Sequence, residues 1–279
     1  METNMTAILL IMILFIYLFG IFAVFVNSGL LFSTFVSKRL KRQPNLTLFY
    51  IRFLVDIIIN SLNCFNISFL FIKTLHPTIN FDPYQPLIFY ANLCVSSIMC
   101  VRAVLVVTIT LDRTFAVFFP LLYHNYRKQI SNFVLASLLL TIPILWHNFV
   151  LWVICNYHYI FPPGCLDLGC MIDLCFGQYI YHLEIYCHIT IAVASLTLAT
   201  KLFVWNKCTG FNSKYIERAN YLALLDVAIM IFFNVLPTMF VEQFVDDFSQ
   251  SFSFFRVGGY ALEAFLVRRA FMRKNEIGT

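Results

Sequence analysis

The sequence predicts an all-α membrane protein, a bundle of seven transmembrane helices with the N-terminus outside and the C-terminus in the cytoplasm. Three observations carry that expectation. Of the 279 residues, 61% are apolar and only 12% charged, where soluble domains carry about 45–50% and about 25%. The apolar residues fall in seven runs, each near the roughly 20 residues that a spanning helix needs. Basic residues, finally, alternate from loop to loop. This composition excludes disordered, collagenous and disulfide-knot chains and argues against a soluble enzyme, because seven spans leave no room for a separate soluble domain. The chain reads as a single domain over 1–279.

In a bilayer every backbone N–H and C=O must be paired within the segment, so apolar runs of this length are helices. Span one covers 7–36, broken only by Asn27 and Ser28, and the cluster Lys38, Arg39, Lys41, Arg42 stops it. Its apolar stretch is too long for a cleavable signal core, and Glu2 is the only charge before it, so a retained span is expected. Span two follows Pro44 over 47–72, and span three runs from Pro86 to Arg113. Spans four (131–154, around Pro143) and five (178–204) follow, then span six (219–241, around Pro237). Span seven, 250–267, is the shortest and holds Arg256 and Glu263.

Lysine and arginine in short loops set orientation. Fifteen of the nineteen basic residues fall on one side: the four after span one, Arg113, Arg127, Lys128, Lys201, Lys207, Lys214, Arg218, Arg268, Arg269, Arg273 and Lys274. The opposite loops hold Lys73 against Glu2, Asp82, Asp167, Asp173, Glu242, Asp246 and Asp247. The net charge of +5 therefore meets the anionic leaflet of the lipid bilayer. It gives no support to nucleic-acid binding.

Cys155, Cys165, Cys170 and Cys175 crowd the connection between spans four and five, on the oxidising side. One or two disulfides are expected there, with free thiols as the alternative; pairing is not deducible. The spacings fit no compact zinc motif, so no metal is expected. Cys94, nearest the outer end of span three, could reach that loop instead. Asn4-Met5-Thr6 is an N-glycosylation acceptor pattern at the outer side, a few residues from the membrane.

Ionisable side chains within spans are costly and mark pairs or functional sites. Asp56 lies about ten residues above the start of span two, and Arg102 eleven above Arg113, which places both roughly 15 Å from the cytoplasmic surface. An Asp56–Arg102 ion pair between spans two and three is expected; separate solvation in a watery cavity is the alternative. Glu184, between His182 and His188, faces either a ligand cavity or the outer water. Arg256 and Glu263, two turns apart on one face, each require a partner on another helix.

The most specific stretch runs from Leu111 through Asp112, Arg113, Pro120 and Tyr123 to His124 at the end of span three. A carboxylate beside an arginine at a helix end can hold it inward in one state and release it to a partner in another, a bistable element. An ordinary charged helix end explains the Asp-Arg pair, but not the proline and tyrosine at these offsets.

Here the sequence resembles the rhodopsin-like G-protein-coupled receptors, whose third helix ends in a similar signature. More closely, Pro44–Phe53, Leu111–Arg127 and the cysteine-rich loop resemble the nematode serpentine chemoreceptors of class BC (Srbc), over nearly the whole chain. The resemblance implies a polar network containing Asn27 and Asp56, which Arg102 would join, and a bend of span six at Pro237. It also implies a heterotrimeric G-protein partner, and a multi-pass plasma-membrane protein of the sensory-neuron cilium. The departures are specific. No aromatic residue stands two before Pro237. Arg256-Val257-Gly258-Gly259-Tyr260 replaces an Asn-Pro-x-x-Tyr motif, and Cys94 is not at the usual distance before Arg113. Arg102 occupies the level where many such receptors hold sodium, so a sodium site is not expected. Tail phosphorylation is not expected either, since Thr279 is the one acceptor there.

A small-molecule site in such a bundle opens to the outer half between helices. By depth the candidates are Phe89, Tyr90, Asn92 and Val95, then Trp152, Tyr181 and Glu184, then Phe240 and Gln243. Their aromatic character suits a volatile or weakly polar ligand, although with 18% aromatics a lipid-facing place is the ordinary fate of any one ring. Metalloprotease, phosphate-loop and nucleophile-elbow patterns are all missing, so neither enzymatic activity nor a cofactor is expected. The reading is a chemosensory receptor that couples to a G protein. Its alternative is a seven-span small-molecule transporter, against which the lack of a repeat of spans one to three in spans five to seven counts.

Overall fold

The computed structural model describes residues 2–37, 46–76, 78–127, 131–159, 161–163, 165–166, 168–209, 224–225, 228–229, 231–235 and 249–272. Helix α1 covers Glu2–Phe35, α2 Thr47–Leu75 and α3 Gln85–Phe118. After α4 (Pro120–Arg127), α5 (Asn132–Phe149) runs into a π-helical turn, Val150–Ile154. The short α6 (Leu168–Met171) precedes α7 (Leu174–Thr209), and α8 is Ser249–Met272. Of span six, the described part includes a π-helical turn, Ile231–Val235; Pro237 lies outside the described residues.

Five helices among the described residues are long and apolar enough to cross a membrane: Leu10–Phe35, Thr47–Leu75, Asp82–Phe118, Asn132–Ile154 and Leu174–Lys201. Their outward faces are apolar, with Phe15, Leu18, Phe22 and Phe25 exposed on α1 alone. A patch of that extent is untenable against water and natural against lipid.

Helix α3 is the axis of the bundle, packing against α2, α5 and α7, while α1 packs on α2 and α8. Prolines punctuate where a missing N–H costs least: Pro86 opens α3 and Pro120 opens α4. Pro143 sits inside α5. Two glycines permit close approaches. A Cβ on Gly20 would lie 2.7 Å from the Cys64 sulfur, and one on Gly259 would lie 2.6 Å from Cβ of Phe233. Gly259 thus lets the π-helical turn of span six lie flat on α8.

At one end of the bundle, disulfides join Cys155 to Cys175 and Cys165 to Cys170. Cys94 takes no part and is an exposed free thiol on α3. Asn156 follows the π turn at φ 47°, a left-handed conformation that Asn tolerates, and it reverses the chain so that Tyr157 stacks on Phe89 at 5.4 Å. Removing the longer bridge, which spans 20 residues, with Cys155→Ser and Cys175→Ser is expected to cost about 3 kcal/mol. Thermal unfolding of the purified double variant should show the loss.

Candidate functional site

Beneath that disulfide-bearing end a cavity of about 650 Å³ opens between α2, α3, α7 and α8, with α1 along one side. The volume is that of a small-molecule pocket. Its roof is the cross-linked loop, through Cys165, Leu166, Leu168, Gly169 and Cys170. The loop is fastened down from below: Gln85 Nε2 donates to the Pro162 carbonyl at 2.8 Å, and Asn92 Nδ2 to that of Leu166 at 3.5 Å. On the walls Asn66 Nδ2 donates to Asn92 Oδ1 at 2.8 Å, tying α2 to α3. Ser96 Oγ lies 3.1 Å from His147 Nε2, tying α3 to α5.

The lining is mostly aliphatic, with a polar and charged subset and few aromatic rings. Lys73, Arg102, Glu184, His188 and Arg256 all reach it, and Tyr260 is the one phenol among the described lining residues. Arg256 donates to Glu184 at 3.0 and 3.1 Å across α8 and α7. Glu184 therefore meets a cation at the cavity wall.

The sequence-based candidates divide accordingly. Asn92, Val95 and Glu184 line the cavity. Phe89 is fully buried in a separate aromatic cluster against Tyr157 and Phe161. Tyr90 and Trp152 belong to that cluster through Tyr159: the Tyr90 and Tyr159 hydroxyls lie 2.7 Å apart, and the Trp152 and Tyr159 rings 5.3 Å apart. Tyr181 lies at the surface beside His182. These four were placed by depth, but helix rotation turns them away from the cavity. Phe240 and Gln243 lie outside the described residues. The lining groups that depth alone missed are Asn66, Ser96, His147, His188 and Arg256. Asn92, Ser96 and Met99 continue one face of α3 at helical spacing, a pattern readable once Asn92 is chosen.

Below the cavity lies a cluster of four buried charges. Arg102 Nε donates to Asp56 Oδ1 at 2.6 Å, and its NH2 group to Glu263 Oε2 at 2.9 Å. Arg52 pairs with Glu263 through its own NH2 group and lies 3.7 Å from Asp56, four residues on. All four side chains are at most 6% exposed. Two cations face two anions, so the cluster is neutral and binds α2, α3 and α8 together. The Tyr260 ring lies 4.1 Å under the Arg102 guanidinium, a cation–π contact that caps the cluster toward the cavity. Asn27 is buried on α1, whereas the ion pairs run between α2, α3 and α8. The structure does not bring Asn27 into them.

At the far end of α3, Asp112 holds Arg113 at 3.0 Å. The same carboxylate accepts from the Tyr123 hydroxyl at 3.1 Å. Pro120 starts α4 and so carries Tyr123 back over Asp112. Thr114 Oγ1 lies 3.1 Å from the Ala194 carbonyl and can donate to it, linking this end to α7. Asn4 lies in the first turns of α1.

Over residues 5–275 the chain matches the model of a family described as serpentine type 7TM GPCR chemoreceptor Srbc. No curated protein matches it.

Proposed function

Given that the chain belongs to the serpentine type 7TM GPCR chemoreceptor Srbc family, we propose that it binds a small molecule from the outer side, in the cavity under the disulfide loop. It then activates a heterotrimeric G protein through the cytoplasmic end of α3. The family is a receptor family, and its members are multi-pass membrane proteins. In this reading the N-terminus and Asn4 lie outside, the Asp112–Arg113 end lies in the cytoplasm, and the protein works at the plasma membrane of a sensory cilium.

One observation carries the reading: Arg102 belongs to both the cavity wall and the charge cluster. A ligand on the cavity floor meets the same guanidinium that ties α2 and α8 to α3. From Arg102 the helix continues without a break to Arg113, roughly 16 Å along the axis. A bias applied at Arg102 therefore acts on a rigid element that ends in the Asp112–Arg113–Tyr123 contact. A ligand shifts that equilibrium only by its difference in affinity for the two states, and contact with a charge that changes partners supplies such a difference.

The test is a calcium or cAMP reporter in cells displaying the receptor, beside Arg113→Ala and beside cells lacking the G-protein α subunits. Responses are expected to vanish in both controls while ligand binding persists. A response that survives without G proteins, or uptake of the ligand by the purified protein in vesicles, would overturn the proposal.

A further inference from the structure

A second hollow, of about 240 Å³, lies along the contact between α1 and α2. Leu14 and Tyr17 of α1 face Ser68, Phe71 and Ile72 of α2 across it. Leu14 is 47% exposed and Ile72 41%, so the hollow opens outward from the bundle, toward lipid. No charged side chain lines it among the described residues, and the Ser68 hydroxyl donates to the Cys64 carbonyl of its own helix at 2.8 Å. The inner wall is Ile13 and Ile67, and the same two side chains line the 650 Å³ cavity. Two isoleucines therefore stand between the cavity and the bilayer. One turn further from the disulfide loop the gap closes, where Gly20 lets α1 lie against Cys64 of α2.

We propose that the cavity is filled from the membrane: a neutral, lipophilic ligand dissolved in the outer leaflet enters between α1 and α2, past Ile13 and Ile67. The proposal rests on the cavity being the ligand site. Entry from water through the roof has to move a loop that two disulfides cross-link and that Gln85 and Asn92 hold down by hydrogen bonds. Entry from lipid has to move two aliphatic side chains, which breaks no polar contact. The route also selects by charge. An ion in the hollow finds neither a counter-charge nor water, and burying it so is costly. A neutral molecule with an alkyl or aryl body meets no such barrier, and burial of its apolar surface concentrates it in the leaflet beforehand. Inside, Ile16, Leu70 and Val95 continue the apolar path, while Arg256 and Glu184 answer each other and leave a neutral guest undisturbed.

The probes are octan-1-ol carrying a diazirine on carbon 3 and the same chain ending in trimethylammonium. Each is mixed with the purified full-length protein in lipid nanodiscs. Flash photolysis at set delays, followed by peptide mass spectrometry, gives the rate at which each region is labelled. The alcohol is expected first on the hollow and then on the cavity face of α3, at Asn92, Ser96 and Met99, with the cation at least tenfold slower to the cavity. Leu14 and Ser68 line the hollow and not the cavity. Leu14→Trp and Ser68→Trp should each slow cavity labelling severalfold, and together at least tenfold, without changing its plateau. Ile67→Ala should speed it severalfold. Leu14 is on the exposed surface, so Leu14→Trp keeps the test valid if Ser68→Trp fails to fold. Wild-type rates in the tryptophan variants, or equal entry of the cation, would overturn the lateral route and leave the cavity as the ligand site. Alcohol adducts in the hollow but never in the cavity would overturn both, the hollow then being a seat for lipid alone.

Discussion

Arg102→Gln is expected to remove the protein from the cell surface almost entirely. Arg102 gives one donor to Asp56 and another to Glu263, and both carboxylates are buried. Without it Arg52 faces two anions, and the cluster carries an uncompensated negative charge away from water. Breaking a buried pair in this way costs about 3–5 kcal/mol, a large part of the roughly 5–15 kcal/mol that holds a domain together. Restoring neutrality should reverse much of the loss. In the double variant Asp56→Asn with Arg102→Gln, Arg52 and Glu263 remain as a pair. Surface staining and thermal unfolding of the two single variants and the double variant form a cycle. Non-additivity of a few kcal/mol is expected, and additive losses would show that the four side chains do not act as one unit.

The second large effect is on resting activity. Asp112→Asn removes the charge that holds Arg113 at 3.0 Å and weakens the acceptor for the Tyr123 hydroxyl. A hydrogen bond to a charged group is worth about 1.5–3 kcal/mol, and about 1.4 kcal/mol is a factor of ten in an equilibrium. If the proposed coupling holds, ligand-free G-protein signalling should rise by roughly tenfold. Tyr123→Phe, which keeps the ion pair and loses one bond, should raise it by a smaller factor. Both follow from reporter output normalised to surface protein. A fall in basal signal with Asp112→Asn would mean that the aspartate supports the signalling state instead of restraining it.

The charges were far more legible than the cavity, and the reason is physical. Asp56 and Arg102 can be levelled by counting residues from the helix ends, because rise per residue is constant and two unpaired charges at one depth are costly. The part played by Glu263 was hidden, since nothing local says which way α8 is rotated. Arg52 was readable in principle: four residues before Asp56, it shares that residue's face. Ligand candidates chosen by depth fared unevenly for the same reason. Phe89 and Asn92 lie at similar depth on α3, yet only Asn92 faces the cavity, because depth along a helix does not fix which face a residue occupies. The disulfide pairing depended on how the loop reverses at Asn156, which no spacing of cysteines encodes.

The neutrality of the four-charge cluster has a consequence for how the chain is made. Helices leave the ribosome in order, so Arg52 and Asp56 enter the membrane first, Arg102 follows, and Glu263 arrives with the last helix. Until then the nascent bundle holds two arginines against one aspartate, each costing about 3 kcal/mol to bury at mid-membrane when unmatched. The last helix to be synthesised therefore completes the electrostatic balance of α2 and α3. A chain interrupted before residue 263 keeps a stranded arginine in its lipid-embedded core. Biosynthetic quality control can detect that defect before the receptor leaves the endoplasmic reticulum.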